Sequence, residues 1–123
     1  MQLQSLTAIS PVDGRYRNQL QHLDEYFSEF ALIKYRVKVE VEYFLFLSEK
    51  KFFKVPANLR KRFLKIADEF SIDDAETIKV TEKITNHDVK AVEYFLKEKL
   101  KEAGGENLQE WIKFGLTSQD INN

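Results

Sequence analysis

Only four glycines and two prolines punctuate the 123 residues of this chain. These are the strongest local breakers, so their scarcity points to long helices rather than many short strands. Leu20, Leu23, Phe27 and Phe30 recur at helical spacing, and Ser28 has the chemistry to cap a longer helix beginning there. Residues 35–47 read two ways. Val37, Val39, Val41 and Tyr43 alternate with Lys38, Glu40 and Glu42, which is the strand template. The same stretch places Ile33, Val37, Val41, Phe44 and Leu45 on one wide helical stripe. No Gly or Pro separates it from the helical register upstream, so the spacing predicts one helix from about 28 to 49, against the mild β preference of its valines.

Pro56 suits a helix start, and Leu59, Phe63, Ile66, Ala67 and Phe70 form the apolar face that follows. Ser71 and Asp74 have the spacing of a reciprocal capping pair, opening a helix through Ala75 and Ile78 to about residue 84. After Asn86-His87-Asp88, an amphipathic helix carries Val89, Val92, Phe95, Leu96 and Leu100, with Glu93 and Lys97 at the favourable i, i+4 spacing. Ala103-Gly104-Gly105 ends it. A last short helix holds Leu108, Trp111 and Ile112, and Gly115 closes it. Thr117 and Asp120 then look like a helix opening with three residues left, as expected of a fragment. Residues 1–17 have no sustained period; they read as an extended arm, the most mobile part, carrying a turn at Ser10-Pro11-Val12-Asp13-Gly14.

Composition narrows the function classes. With 43% hydrophobic and 32% charged residues, one ordinary domain with a real core is expected. There is no Cys, which removes disulfides, a thiol nucleophile and cysteine-ligated metals. Nineteen Lys+Arg nearly balance twenty Asp+Glu, so there is no global electrostatic case for nucleic acid or an anionic membrane. No apolar run approaches the roughly 20 residues that span a bilayer, and the N-terminus lacks a secretory layout, leaving the cytoplasm as the expected compartment.

Three polar clusters stand out. Arg15-Tyr16 follows the turn; a guanidinium there can fork onto phosphate or carboxylate, or be a surface arginine beside a core-capping tyrosine. Asn86-His87-Asp88 lies at a helix start, where unpaired N–H groups favour anions and His87 could bind or shuttle protons; alternatively Asn86 caps the helix, Asp88 complements its dipole and His87 is exposed. Thr117-Ser118 offers two hydroxyls at another helix start, or a plain cap. His22 reads as a surface or packing residue. Residues 50–65 carry seven basic residues and no acid, better read as a solvated helix face than as a phosphate-tracking patch. No metal-ligand cluster or Gly-rich phosphate loop is visible.

Together with their flanks these clusters acquire a sharper meaning. Residues 5–16, ending Ser10-Pro11-Val12-Asp13-Gly14-Arg15-Tyr16, residues 85–99, opening Thr85-Asn86-His87-Asp88-Val89-Lys90-Ala91-Val92-Glu93-Tyr94, and residues 117–123, Thr117-Ser118-Gln119-Asp120-Ile121-Asn122-Asn123, resemble three signature blocks of the adenylosuccinate lyase family, bacterial branch, within the fumarase/aspartase superfamily. Residues 46–80 match only as generic helix. The resemblance implies the all-α N-terminal domain of that family, five or six helices behind the arm, covering residues 1–116, with 117–123 opening a truncated central helical domain. It implies a β-elimination that releases fumarate from adenylosuccinate and from the succinylated aminoimidazole carboxamide ribotide, without metal or organic cofactor, in a homotetramer whose sites draw on several subunits. Arg15 and Tyr16 would contact the nucleotide portion, Asn86, His87 and Asp88 would line the site, and Thr117 and Ser118 would hold a succinyl carboxylate. Gln119 is a mild departure, since relatives often carry Glu there. The family's general-acid histidine and its mobile loop with the serine base would lie further along, so residues 1–123 are expected to be inactive alone, with His87 at most auxiliary. The competing reading is a stand-alone helical interaction module without chemistry.

Overall fold

The computed structural model describes residues 1–123; it is all-α, with no strand, and divides into two compact units, residues 1–32 and 33–123.

The first unit is built from turns. The N–H groups of Asp13 and Gly14 both donate to the Ser10 carbonyl, at 3.1 and 3.0 Å, and Tyr16 N–H donates to the Pro11 carbonyl at 2.9 Å. Gly14 is buried, and a Cβ there would stand 2.6 Å from the Ser5 carbonyl oxygen, so only glycine lets the two backbones approach. The arm is therefore folded into successive turns rather than extended. The helical spacing of Leu20, Leu23 and Phe27 yields short pieces: α1 (Arg17–Leu20), a 3-10 turn (Gln21–Leu23) and α2 (Asp24–Phe27). Extended backbone at Ser28 ends α2 (φ −89°, ψ 168°), and Phe27 is 83% exposed. The Ser28 hydroxyl accepts from Ala31 N–H at 3.1 Å and so caps α3 (Glu29–Glu49), as its chemistry predicted.

The second unit opens inside α3, which is a continuous helix. Ile33, Val37, Val41, Phe44 and Leu45 are buried while Val39 is 43% exposed, so the 3.6-residue period wins over the two-residue alternation. Pro56 stands before α4 (Ala57–Asp68), which buries Leu59, Phe63 and Ala67; Phe70 is buried just beyond it, and Ile66 only half. Ser71 and Asp74 exchange the predicted pair of bonds, Asp74 N–H to Ser71 Oγ at 3.2 Å and Ser71 N–H to Asp74 Oδ2 at 3.0 Å, and open α5 (Ile72–Thr85). In α6 (Asp88–Glu102), Val89, Val92, Phe95, Leu96 and Leu100 are buried, and Gly104 follows at φ +87°.

The last expected helix before the chain's end is a 3-10 segment, Glu106–Trp111. Aromatic packing holds it. Trp111 stacks on Phe53 at 4.8 Å, Phe53 meets Phe44 at 4.9 Å, and Phe44 meets Phe63 edge-on at 4.9 Å. Tyr43 adds a polar tie, its hydroxyl donating to the Phe114 carbonyl at 2.7 Å. That tie fixes the loop leading into α7 (Ser118–Asn122), whose Ile121 is buried.

Candidate functional site

Asn86, the C-cap of α5, takes left-handed backbone (φ 54°, ψ 30°), a conformation asparagine tolerates better than most residues. The chain reverses there, and the residue capping α6 is His87 rather than Asn86. Its Nδ1 accepts the Lys90 N–H at 3.1 Å. A ring nitrogen that accepts carries no proton, so in the neutral imidazole the proton sits on Nε2. Nε2 faces Ser118 Oγ at 3.5 Å, too long for a strong hydrogen bond. His87 and Asn86 are exposed, so this pair can turn towards a third group.

Asp88 Oδ1 accepts the Val89 N–H at 2.8 Å, and Oδ2 pairs with Arg36 Nη2 at 3.0 Å. Desolvation pushes this carboxyl upward, but the Val89 N–H and the Arg36 guanidinium outweigh it and hold it below the usual carboxylate range. The first-turn N–H groups of Val89 and Lys90 are thus bonded to side chains of the chain itself. What this corner presents outward is side-chain chemistry: His87 Nε2, the Ser118 hydroxyl and the Asn86 amide. Lys79, Glu82, Lys83, Asn86, His87 and Asp88 line an open depression beside it.

Thr117 and Ser118 divide the work at the start of α7. Thr117 N–H and Oγ1 both donate to Asp120 Oδ2, at 2.8 and 3.0 Å, and hold that carboxyl below its ordinary value. Ser118 is the hydroxyl that faces His87. The second and third predicted clusters therefore meet, 31 residues apart in sequence. Arg15 and Tyr16 belong to the first unit, where the guanidinium lies 5.2 Å from the neighbouring Tyr16 ring centroid. Tyr16 is 40% exposed, not a core cap. Several cations of residues 50–65 are engaged with the chain: Arg60 pairs with Glu49 at 2.6 Å and Lys65 with Glu69 at 3.9 Å.

One residue escaped the sequence reading. Arg36 Nε donates to Asn122 Oδ1 at 3.1 Å while Nη2 holds Asp88, so one side chain links α3, α6 and α7. Its signal was its register: three residues after Ile33, a charged residue sits on a stripe otherwise predicted buried. No group of three or more His, Asp and Glu side chains gathers to hold a metal ion, and no helix is long and apolar enough to cross a membrane.

Fold and corner together define an all-helical domain that gathers polar side chains where two helices begin. No family model matches the chain. Its whole length is 55% identical, over 131 aligned residues, to adenylosuccinate lyase of Dictyostelium discoideum. It is 48% identical to that of Legionella pneumophila (strain Corby) over 130 residues and 49% to that of Escherichia coli K12 over 128. The chain belongs to the adenylosuccinate lyase family, as a segment spanning about 28% of the length of these relatives.

Proposed function

We propose that this chain is the N-terminal domain of an adenylosuccinate lyase and that it supplies substrate-binding groups to a site completed by the rest of the protein. The whole enzyme would release fumarate from adenylosuccinate, giving AMP, and from the succinylated aminoimidazole carboxamide ribotide of purine biosynthesis, as a cytoplasmic homotetramer without metal or organic cofactor. The observation that carries this reading is the approach of His87 Nε2 and Ser118 Oγ in a chain whose full length matches lyases.

The chemistry requires such groups. Removing a proton next to a carboxylate creates a doubly charged aci-carboxylate, whose formation needs donors already in place. His87, with its proton on the outward nitrogen, and Ser118 would donate to a succinyl carboxylate. Thr117 would act by fixing the helix start that carries Ser118, its own hydroxyl donating to Asp120. Asn86 and Asp88 would line the site, Asp88 chiefly by ordering the start of α6. Arg15 would take the substrate's phosphate, with Tyr16 beside it.

The test is fumarate release by the full-length protein. Arg15→Ala is expected to raise KM with kcat kept, because a phosphate anchor contributes uniform binding. His87→Ala is expected to lower kcat/KM. Residues 1–123 alone should release none; release by that polypeptide, or an inactive full-length protein, overturns the reading.

A further inference from the structure

Arg36 is withdrawn from water, 8% exposed, and carries two polar contacts in two directions. Nη2 reaches Asp88 at 3.0 Å and Nε reaches Asn122 at 3.1 Å. Asp88 immediately follows the cap His87. Asn122 stands four residues after Ser118, hence on the same face of α7, about 6 Å along its axis. The two ends of one guanidinium thus hold the two helices whose tips bring His87 and Ser118 to 3.5 Å.

We infer that Arg36 is a positioning residue, a clamp that sets the separation between His87 and Ser118 and thereby the geometry of the substrate-binding corner. This rests on the reading of that corner as a substrate site. The planar guanidinium matters because its separate donors have fixed directions. A lysine ammonium is a single point of charge on a flexible stem and cannot hold both partners in the same geometry. A displacement of about 1 Å at a binding group far from the reacting bond can cost about a hundredfold in rate, so a clamp of this kind should register in kinetics.

Two measurements test it. In residues 1–123, a nuclear Overhauser contact between the His87 ring and the Ser118 β-protons is expected in the wild type and lost in Asn122→Ala and Arg36→Met. In the full-length protein, Arg36→Met is expected to lower kcat/KM about a hundredfold, and Asn122→Ala and Arg36→Lys each about tenfold, Arg36→Lys because it keeps the charge but not the second contact. Asn122 is exposed, so Asn122→Ala reports on the clamp even where Arg36→Met fails to fold. The inference is overturned if the contact survives in Asn122→Ala, or if Arg36→Lys restores wild-type kinetics, which would leave only a structural charge. An inactive wild-type enzyme would instead sink the lyase reading, while the Overhauser result still decides the clamp.

Discussion

Arg36 and Glu40 lie one turn apart on the same face of α3, and their surroundings are opposite. Arg36 has a carboxylate and an amide oxygen within 3.1 Å. Glu40 is fully buried, and neither of its carboxyl oxygens has a hydrogen-bond partner. Glu93, also buried, faces it from α6 but is occupied with Lys90 and Lys97, at 2.9 and 3.6 Å. Burial pushes the Glu40 carboxyl up to about 8; Lys113 draws it down and Glu93 pushes it further up. Near neutral pH Glu40 therefore carries a proton. A buried polar group on a helix face is stabilising only when the elements packed on it bring partners, and one turn of helix separates the two outcomes here.

The largest effect expected from this contrast is a dependence of stability on pH. The Glu40 carboxyl binds its proton more tightly folded, near 8, than unfolded, near 4.5. Its stabilising contribution is fully present below pH 4.5 and is lost as pH rises through 8, at about 1.4 kcal/mol per pH unit, roughly 5 kcal/mol across the window. Urea denaturation from pH 4.5 to 8.5 should show this slope in the wild type and its loss in Glu40→Gln. Equal slopes would mean that Glu40 is not protonated in the core.

Next in size, Arg36→Met should lower stability by about 2–3 kcal/mol across the neutral range. The figure sits below that for a fully buried pair because the Asp88 side chain is 48% exposed and can be rehydrated. Glu40→Leu should do the reverse and raise the urea midpoint at pH 8, since it removes a buried carboxyl that has no partner. If both variants move the midpoint in the same direction, the contrast between the two sites is wrong.

A smaller effect belongs to a polar contact at the surface. Ser71→Ala should cost about 1 kcal/mol in the same titration by removing one half of the α5 capping pair. Smallest of all, Arg17→Ala should leave the urea midpoint unmoved within error. Its forked pair with Asp24 (2.6 Å for the Nη2 contact), which raises the arginine and lowers the aspartate, is open to solvent.

Much of the fold was legible because local rules and global packing agree. Ser28, Pro56, Ser71, Gly104 and Thr117 punctuate the helices where their chemistry predicts, and Val37, Val41, Phe44, Phe63 and Leu96 are buried as their spacing requires. Where the rules gave less, the reason is physical. Leu20, Leu23 and Phe27 have helical spacing, yet extended backbone at Ser28 ends the segment and Phe27 finds no core. Asn86 looked like the cap of α6 because asparagine is a good cap; the reversal out of α5 uses it in left-handed backbone, and His87 takes its place.

The sequence by itself determined the helical class, the punctuation and the residue types at each helix tip, because these depend on neighbours within about four positions. It placed the three blocks that carry the family resemblance for the same reason: a motif is local. Only the tertiary structure decided that Ser118 faces His87, that Arg36 has two partners and that Glu40 has none. Those outcomes turn on residues 31 to 86 positions apart, and a charge on a helix face does not reveal what another helix will set against it.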